Sequence, residues 1–141
     1  MTQGITRLPL VTISNDESHQ DFEGSPTPSR KVTLVRPAMV SSVGTWSSPV
    51  TPQLGLAYLA SMLLKAGHEV QCIDAIAENV SQIIQEGNYV YQGLTIKETI
   101  ERIDPSTDVI GVSCMFSQDW LYFRKLLSSI RERFPNVLIV I

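Results

Sequence analysis

The side chains best suited to hold a ligand cluster in one unusually long connection of the sequence. Residues 38–52 read AMVSSVGTWSSPVTP and supply several hydroxyl groups, a flexible glycine, two prolines and one tryptophan, Trp46. Connections between a strand and a helix usually have roughly two to six residues, and longer ones are often functional. Hydroxyls and an aromatic ring can hold a large ligand of neutral to polar character. The alternative interpretation is a lid or interface loop in which Trp46 packs against another domain.

Other catalytic and nucleotide-binding patterns are missing from the sequence. It contains neither G-x-G-x-x-G nor G-x-x-x-x-G-K-S/T, so no phosphate-binding glycine loop is predicted. Cys72 and Cys114 are too far apart for a zinc pattern, and we expect both to be small buried hydrophobic residues. His68 falls in a turn between a helix and a strand, at the edge opposite the expected site. We therefore predict no catalytic and no metal-binding residue.

Length and composition exclude several classes of protein. The chain has 141 residues, a net charge of −3 and 43% hydrophobic residues, which suits one domain with its own core. The mildly acidic balance argues against nucleic-acid binding. No apolar run reaches the length of about 20 residues that spans a membrane, and no secretory signal is visible. We expect a cytoplasmic protein that binds neither nucleic acid nor membranes.

The character of the chain changes at Lys31. Residues 14–30 read SNDESHQDFEGSPTPSR and contain a single large apolar side chain, Phe22. Such a segment cannot bury enough surface to offset the entropy that ordering would cost. We expect residues 1–30 to form a disordered arm and residues 31–141 to form one domain.

Apolar patterns in this domain alternate between strands and helices. KVTLV (31–35) predicts a buried strand, LGLAYLASMLLK (54–65) a helix ended by Gly67, and HEVQCIDA (68–75) a second strand. Strand, helix and strand in that order favour a right-handed parallel crossover. The pattern therefore predicts an α/β fold with a doubly wound parallel sheet, in the order 2-1-3-4 of flavodoxin-like domains.

The second half continues the pattern less regularly. We predict a helix over 78–85 closed by Gly87, and a short strand or ordered loop over 88–93. The next helix opens on a capping box of Thr95 and Glu98. A third strand, DVIGVSC (108–114), leads to a helix that Ser117 can cap and whose apolar face is formed by Trp120, Phe123, Leu127, Ile130 and Phe134. The chain ends in a fourth strand, VLIVI, and no helix follows that could cover it. Because parallel sheets are normally covered on both faces, we expect a sheet truncated after strand four.

Ligands of open α/β sheets bind beyond the carboxyl ends of the strands. Three segments lie there by position, namely the loop 38–52, Asp74 after the second strand, and residues 113–120 after the third. Asp74 is a candidate for a contact with a ribose or an amide, and capping of the following helix is an equal alternative.

Three stretches carry a resemblance to a known family. PQLGLAYLASMLLKAGHEVQCIDA (52–75), TIKETIERIDPSTDVIGVSCMFSQDW (95–120) and FPNVLIVI (134–141) resemble the cobalamin-binding domain of cobalamin-dependent radical S-adenosylmethionine enzymes. The resemblance runs from Lys31 to Ile141. It implies a cobalamin-binding module of an enzyme that is a methyltransferase, in which this chain alone is not catalytic.

The resemblance also implies which residues contact the cofactor. Their hydroxyl and amide groups would pair with the amide arms of the corrin, and two of them, Met115 and Phe116, would supply apolar contact. Ordinary core packing is the alternative for that pair. Trp46 would face the cobalt. The implied cobalamin contacts are Trp46, Ser47, Thr51, Pro52, Gln53 and Leu54 on one side and Ser113, Met115, Phe116, Ser117 and Gln118 on the other.

The sequence departs from related patterns in three ways. D-x-H-x-x-G, whose histidine ligates cobalt in methionine-synthase-like domains, is absent, as is the glycine pair that follows strand four. C-x-x-x-C-x-x-C is absent too, so S-adenosylmethionine and a 4Fe-4S cluster would be bound only by a separate C-terminal radical barrel domain.

Two alternative functions remain, half of a sugar-nucleotide transferase and a receiver-like interaction module. Against the second, Arg36 stands where a receiver's acidic cluster would end strand one.

Overall fold

The main sheet is parallel and contains four strands. The computed structural model describes residues 28–45 and 51–141, so most of the predicted arm and Trp46 and Ser47 lie outside the described residues. The strands are β1 (Lys31–Arg36), β3 (Glu69–Asp74), β6 (Val109–Val112) and β7 (Leu138–Val140). Their order in the sheet is β3-β1-β6-β7. This confirms the predicted parallel sheet and its order.

Helices cover both faces of this sheet. They are α1 (Leu54–Lys65), α2 (Ala75–Glu78), α3 (Ile96–Arg102) and α4 (Trp120–Arg133). Neighbouring residues of a strand point to opposite faces. Accordingly, Val35 packs in a core with Phe123 and Leu126 of α4, while Leu34 packs with Leu56 of α1. The α/β, doubly wound architecture is therefore confirmed.

None of the helices in the described residues has the length and apolar character that a membrane span requires.

A second, antiparallel sheet lies beside the first. It contains β2 (Met39–Ser42), β4 (Ile83–Glu86) and β5 (Tyr89–Gln92) in the order β2-β5-β4. The predicted loop over 38–52 is therefore wrong at β2, and the predicted helix over 78–85 is wrong, whereas the strand alternative for 88–93 is confirmed. A tight turn at Gly87, with a φ of +59°, joins β4 to β5. Long-range pairing decides such short apolar segments, since their pattern alone fits either a helix or a strand.

The structure confirms two of the three predicted signals at helix ends. Gly67 follows α1 with a φ of +85°. Thr95 and Glu98 form the predicted capping box, in which the Thr95 amide donates to Glu98 Oε2 at 2.8 Å and the Glu98 amide donates to Thr95 Oγ1 at 3.2 Å. The predicted cap at Ser117 is wrong, because a 3₁₀ turn (Ser117–Asp119) precedes α4 and Asp119 is the residue at its cap.

The second sheet is joined to the main domain through aromatic packing. Tyr91 of β5 and Tyr122 of α4 have ring centroids 5.2 Å apart. Ala38 and Val40 are buried in the same cluster. Tyr122 is therefore on the buried side of α4, whereas Trp120, predicted on that side, is exposed. The contact places the second sheet beside the carboxyl edge of the first.

Candidate functional site

The start of α1 and the end of β6 meet at the carboxyl edge of the main sheet. The side-chain amide of Gln53 donates to the hydroxyl of Ser113 across 3.1 Å. Both side chains are half-buried. Two segments that the sequence assigned to one ligand site are thus in direct contact.

Arg36 connects the end of β1 to both neighbouring segments. Its Nη1 donates to the Thr51 carbonyl at 2.9 Å and to Asp74 Oδ2 at 3.0 Å. Asp74 uses its other oxygen, Oδ1, to accept from the amides of Ile76 and Ala77, each at 3.1 Å. The capping role that the sequence allowed for Asp74 is confirmed. Its contact with a ligand remains a prediction.

A cavity of about 470 Å³ opens between these segments. The predicted residues that line it are Thr51, Pro52, Gln53, Leu54, Ser113, Met115 and Phe116. Asp74 and Ser117 do not line this cavity, and the side chain of Gln118 lies outside the described part of the structure. Met115 and Phe116 are 67% and 57% exposed. Ordinary core packing, the alternative for this pair, is therefore wrong.

The cavity also contains residues that were not among the predicted cofactor contacts. Met39 comes from β2, Asp119 from the turn before α4, and Tyr122 from α4. The position of Tyr122 depends on its contact with Tyr91, and the second sheet that supplies this contact was not predicted as a whole. No motif in the sequence marked these residues.

Three residues that line the cavity each carry a buried polar atom without a partner. Among the residues that the structure describes, Gln53 Oε1, Asp119 Oδ1 and the Tyr122 hydroxyl have no hydrogen-bond partner. Burial raises the pKa of Tyr122 to about 12 and also raises the pKa of Asp119. A buried polar group that lacks a partner costs about 1–3 kcal/mol. Such groups are rare in native structures, and three in one cavity indicate a place for a polar ligand.

An apolar groove of about 820 Å³ continues from the cavity along α1. Gln53, Gly55, Ser113, Cys114 and Met115 line both spaces. The groove walls are apolar side chains of the sheet and of α1, among them Val32, Leu34, Leu56, Leu59, Leu63 and Val109.

Gly111 of β6 also lines the groove. A Cβ added there would lie 2.9 Å from the end of the Leu34 side chain. A glycine inside a strand often marks a place where a ligand approaches the backbone closely.

The two cysteines lie outside the core. Both Cys72 and Cys114 are exposed, so the expectation that they are buried is wrong. Cys72 is on β3, an edge strand of the sheet. Alternation along the strand predicts which face a residue takes, but it does not predict whether a helix covers that face.

Within residues 28–45 and 51–141, no group of three or more His, Cys, Asp or Glu side chains is placed to hold a metal ion. His68 directly precedes β3, at the amino edge of the sheet. Its Nδ1 accepts from the backbone amide of Arg30 at 3.3 Å. Of the two histidines in the sequence, the other, His19, lies outside the described residues.

Comparison with protein-family models matches residues 41–141 to the B12 binding domain. The match covers most of the chain. It begins within β2 and includes the start of α1 and the segment after β6, which line the cavity. Comparisons with curated proteins and with solved structures find no match.

Proposed function

Because the chain belongs to the B12 binding domain family, we propose that it holds cobalamin at the carboxyl edge of the main sheet, between the start of α1 and the segment after β6. The chain is a cobalamin-binding module. The observation that carries the proposed location is the family match over 41–141, since it covers both walls of the cavity. The match also favours this function over a sugar-nucleotide transferase or a receiver module.

The chemistry of the cavity suits a corrin. Cobalamin carries primary amide arms, which need hydrogen-bond acceptors for their N–H groups and donors for their carbonyls. The unpartnered oxygens of Gln53, Asp119 and Tyr122 supply such groups. The exposed side chains of Met115 and Phe116 offer apolar contact to the macrocycle. The other predicted contacts, Trp46, Ser47, Thr51, Pro52, Leu54, Asp74, Ser113, Ser117 and Gln118, belong to this proposal as well.

The apolar groove suits the nucleotide tail of cobalamin. Its dimethylbenzimidazole base is flat and apolar, and the groove beside Gly111 has mostly apolar walls. If the groove holds the base, it would keep the base apart from the cobalt, and a base-off absorbance spectrum would be expected.

We further propose that no side chain of this chain ligates the cobalt. His68, at the amino edge of the sheet, lines the far part of the apolar groove but not the cavity, and the cobalt-ligating motif D-x-H-x-x-G is absent. Trp46 is proposed to face the metal instead. The role of the protein is then to orient the cofactor and to set the surroundings of its metal.

The parent activity is proposed to be a radical S-adenosylmethionine methyltransferase of the cytoplasm. Cobalamin, when bound, supplies a cobalt centre that can carry a methyl group between S-adenosylmethionine and a substrate. The 4Fe-4S cluster and S-adenosylmethionine would be bound by a separate barrel domain. The resemblance of residues 31–141 supports this. The outer face of α1 also supports a separate barrel domain. Leu54, Tyr58 and Met62 on this face are 69%, 70% and 65% exposed, and a helix this apolar is normally covered.

Reading the coding DNA after codon 141 tests the proposed parent enzyme. A C-x-x-x-C-x-x-C motif in the same reading frame would support it. A reading frame that ends without such a motif would contradict the radical enzyme, while leaving cobalamin binding to be judged by titration.

A further inference from the structure

The apolar groove along α1 leaves hydrophobic side chains open to solvent. Its volume is about 820 Å³, and its walls come from α1 and from the strands β1, β6 and β7. Leu59 of α1 and Val140 of β7 both line it, and both are exposed. Contiguous apolar surface of this kind marks a place where another segment or a partner binds.

The chain enters the described structure at one end of this groove. Ser29 Oγ donates to the Gly67 carbonyl at 2.8 Å, and the Arg30 amide donates to His68 Nδ1 at 3.3 Å. Arg30 and His68 line the groove at the amino edge of the sheet. Residues 1–27, which precede the described structure, are therefore attached at the amino end of the groove.

One part of that preceding chain has the composition of a groove ligand. Residues 5–13 read ITRLPLVTI and are dominated by aliphatic side chains, whereas residues 14–27 are polar except for Phe22. Pro9 has no backbone N–H that would lose a partner against an apolar wall. The segment 5–13 can therefore bury apolar surface in the groove, and the connecting residues cannot.

The length of the connection lets this segment reach the whole groove. Residues 14–29 span up to about 50 Å when extended. The helix α1 has 12 residues and is therefore only about 18 Å long. In an extended conformation residues 5–13 cover about 30 Å. The segment can thus cover the groove from its amino end at Arg30 to its carboxyl end at Cys114.

Charge and tethering favour this occupant over a separate partner. The pair of Arg30 with Asp108 is exposed and 3.8 Å long, so it leaves the guanidinium open to other anions. A tethered segment is present at an effective concentration of about 1 mM, which a free partner would have to match. The connecting residues that approach Arg30 are acidic through Asp16, Glu17, Asp21 and Glu23.

We propose that residues 5–13 occupy the apolar groove in the cofactor-free chain. The nucleotide tail of cobalamin is proposed to enter the same groove beside Gly111, so the segment has to leave before the tail can bind. It therefore lowers the affinity for cobalamin but not for cobinamide, which lacks the nucleotide. This competition rests on the proposed binding of cobalamin, whereas the occupation of the groove does not.

The rate of thiol alkylation tests the occupied groove without any cofactor. Both cysteines are exposed, and Cys114 lines the groove whereas Cys72 does not. Cys72 is therefore an internal reference when N-ethylmaleimide labelling of each cysteine is followed by mass spectrometry. In Leu8→Glu/Leu10→Glu, whose new charges oppose burial, we expect Cys114 to react at least about 5-fold faster than in wild type, with Cys72 unchanged.

The matched control is Gln3→Glu/Gln20→Glu, which adds the same charge but keeps the aliphatic side chains of the segment. It should react like wild type. Equal Cys114 rates in all three chains would overturn the proposal. A wild-type rate that falls as the chain concentration rises would overturn it too, because a second copy would then cover the groove.

Visible absorbance titration of the same three chains tests the competition. Leu8→Glu/Leu10→Glu should bind cobalamin about 3- to 10-fold more tightly than wild type and bind cobinamide equally. Equal cobalamin affinities would overturn the competition. If none of the folded chains binds cobalamin, the proposed function fails, whereas a faster Cys114 in the variant would still support the occupied groove.

Discussion

The Gln53 amide and the Ser113 hydroxyl form a hydrogen bond of 3.1 Å that joins the start of α1 to the end of β6. These residues are far apart in the sequence, and parallel pairing of β1 with β6 brings their segments to the same edge. The bond also orients Gln53, whose other side-chain atom, Oε1, is buried without a hydrogen-bond partner. This contact therefore joins the two segments of the proposed site that strand pairing brings together.

Removal of this hydrogen bond should weaken ligand binding. In Ser113→Ala the Gln53 amide loses its partner and can rotate, so we expect the affinity for cobalamin to fall about 3- to 10-fold. Titration followed by visible absorbance measures the change. Ser128→Ala, at an exposed position of α4, is the matched control. Equal affinities for the two variants would contradict the role given to the Gln53–Ser113 contact.

A larger side chain at Gly111 should weaken binding of the nucleotide tail without affecting binding of the corrin ring. A valine at this strand position would project side-chain atoms toward Leu34 and into the groove. Gly111→Val should therefore reduce binding of cobalamin by at least about 10-fold, a change of roughly 1.4 kcal/mol in binding free energy. Cobinamide, which lacks the nucleotide, should bind the variant and the wild type alike. A similar loss for both compounds would show that the tail does not occupy the groove.

Asp74 should contribute to stability in two separable ways. Asp74→Asn keeps an acceptor for the amides of Ile76 and Ala77 but loses the ion pair with Arg36, whereas Asp74→Ala loses both. We expect Asp74→Ala to unfold at lower urea concentration, with the two variants differing by about 1 kcal/mol.

The control for the Asp74 variants is Glu101→Gln. It breaks a solvent-exposed pair of Glu101 with Lys97 at 3.9 Å and should change the free energy of unfolding by less than about 0.5 kcal/mol. Identical midpoints for Asp74→Asn and Asp74→Ala would exclude the capping contribution.

Acid should weaken the capping box at the start of α3. Hydrogen bonds from Thr95 and Gln82 lower the pKa of Glu98 from 4.5 to about 2. Because the pKa is depressed in the folded state, the stabilisation is present above about pH 4.5 and is lost as the pH falls toward about 2.

Glu98→Gln isolates this effect, because it removes the titrating group and leaves the other carboxylates unchanged. Wild type should be more stable than the variant at neutral pH, and the difference should shrink between about pH 4.5 and about pH 2. A difference that stays constant in urea unfolding over this range would contradict the assignment.

Sequence patterns were sufficient where a structure depends on local or periodic signals. The helix over 54–65 combines a long apolar run with Gly67 at its end, and the predicted bounds agree with α1. The capping box at Thr95 depends on two residues three positions apart. The parallel order follows from alternating strands and helices together with the handedness of their connections.

Long-range contacts account for what the sequence did not predict. Ile83–Glu86 is a strand because it pairs with Tyr89–Gln92, which in turn pairs with Met39–Ser42. That sheet buries Tyr122, so its place at the cavity could not be predicted from α4 alone. The cofactor contacts at Gln53 and Ser113 were predicted through the resemblance, and their hydrogen bond is visible only in the structure.

Titration of the folded 141-residue chain with hydroxocobalamin tests the central claim most directly. Folding is checked by a cooperative urea transition, and bound corrin is measured by visible absorbance after equilibrium dialysis. We expect saturation at one cobalamin per chain, with the absorbance spectrum of the base-off form. A chain that unfolds cooperatively yet retains no corrin above the buffer concentration would contradict the account.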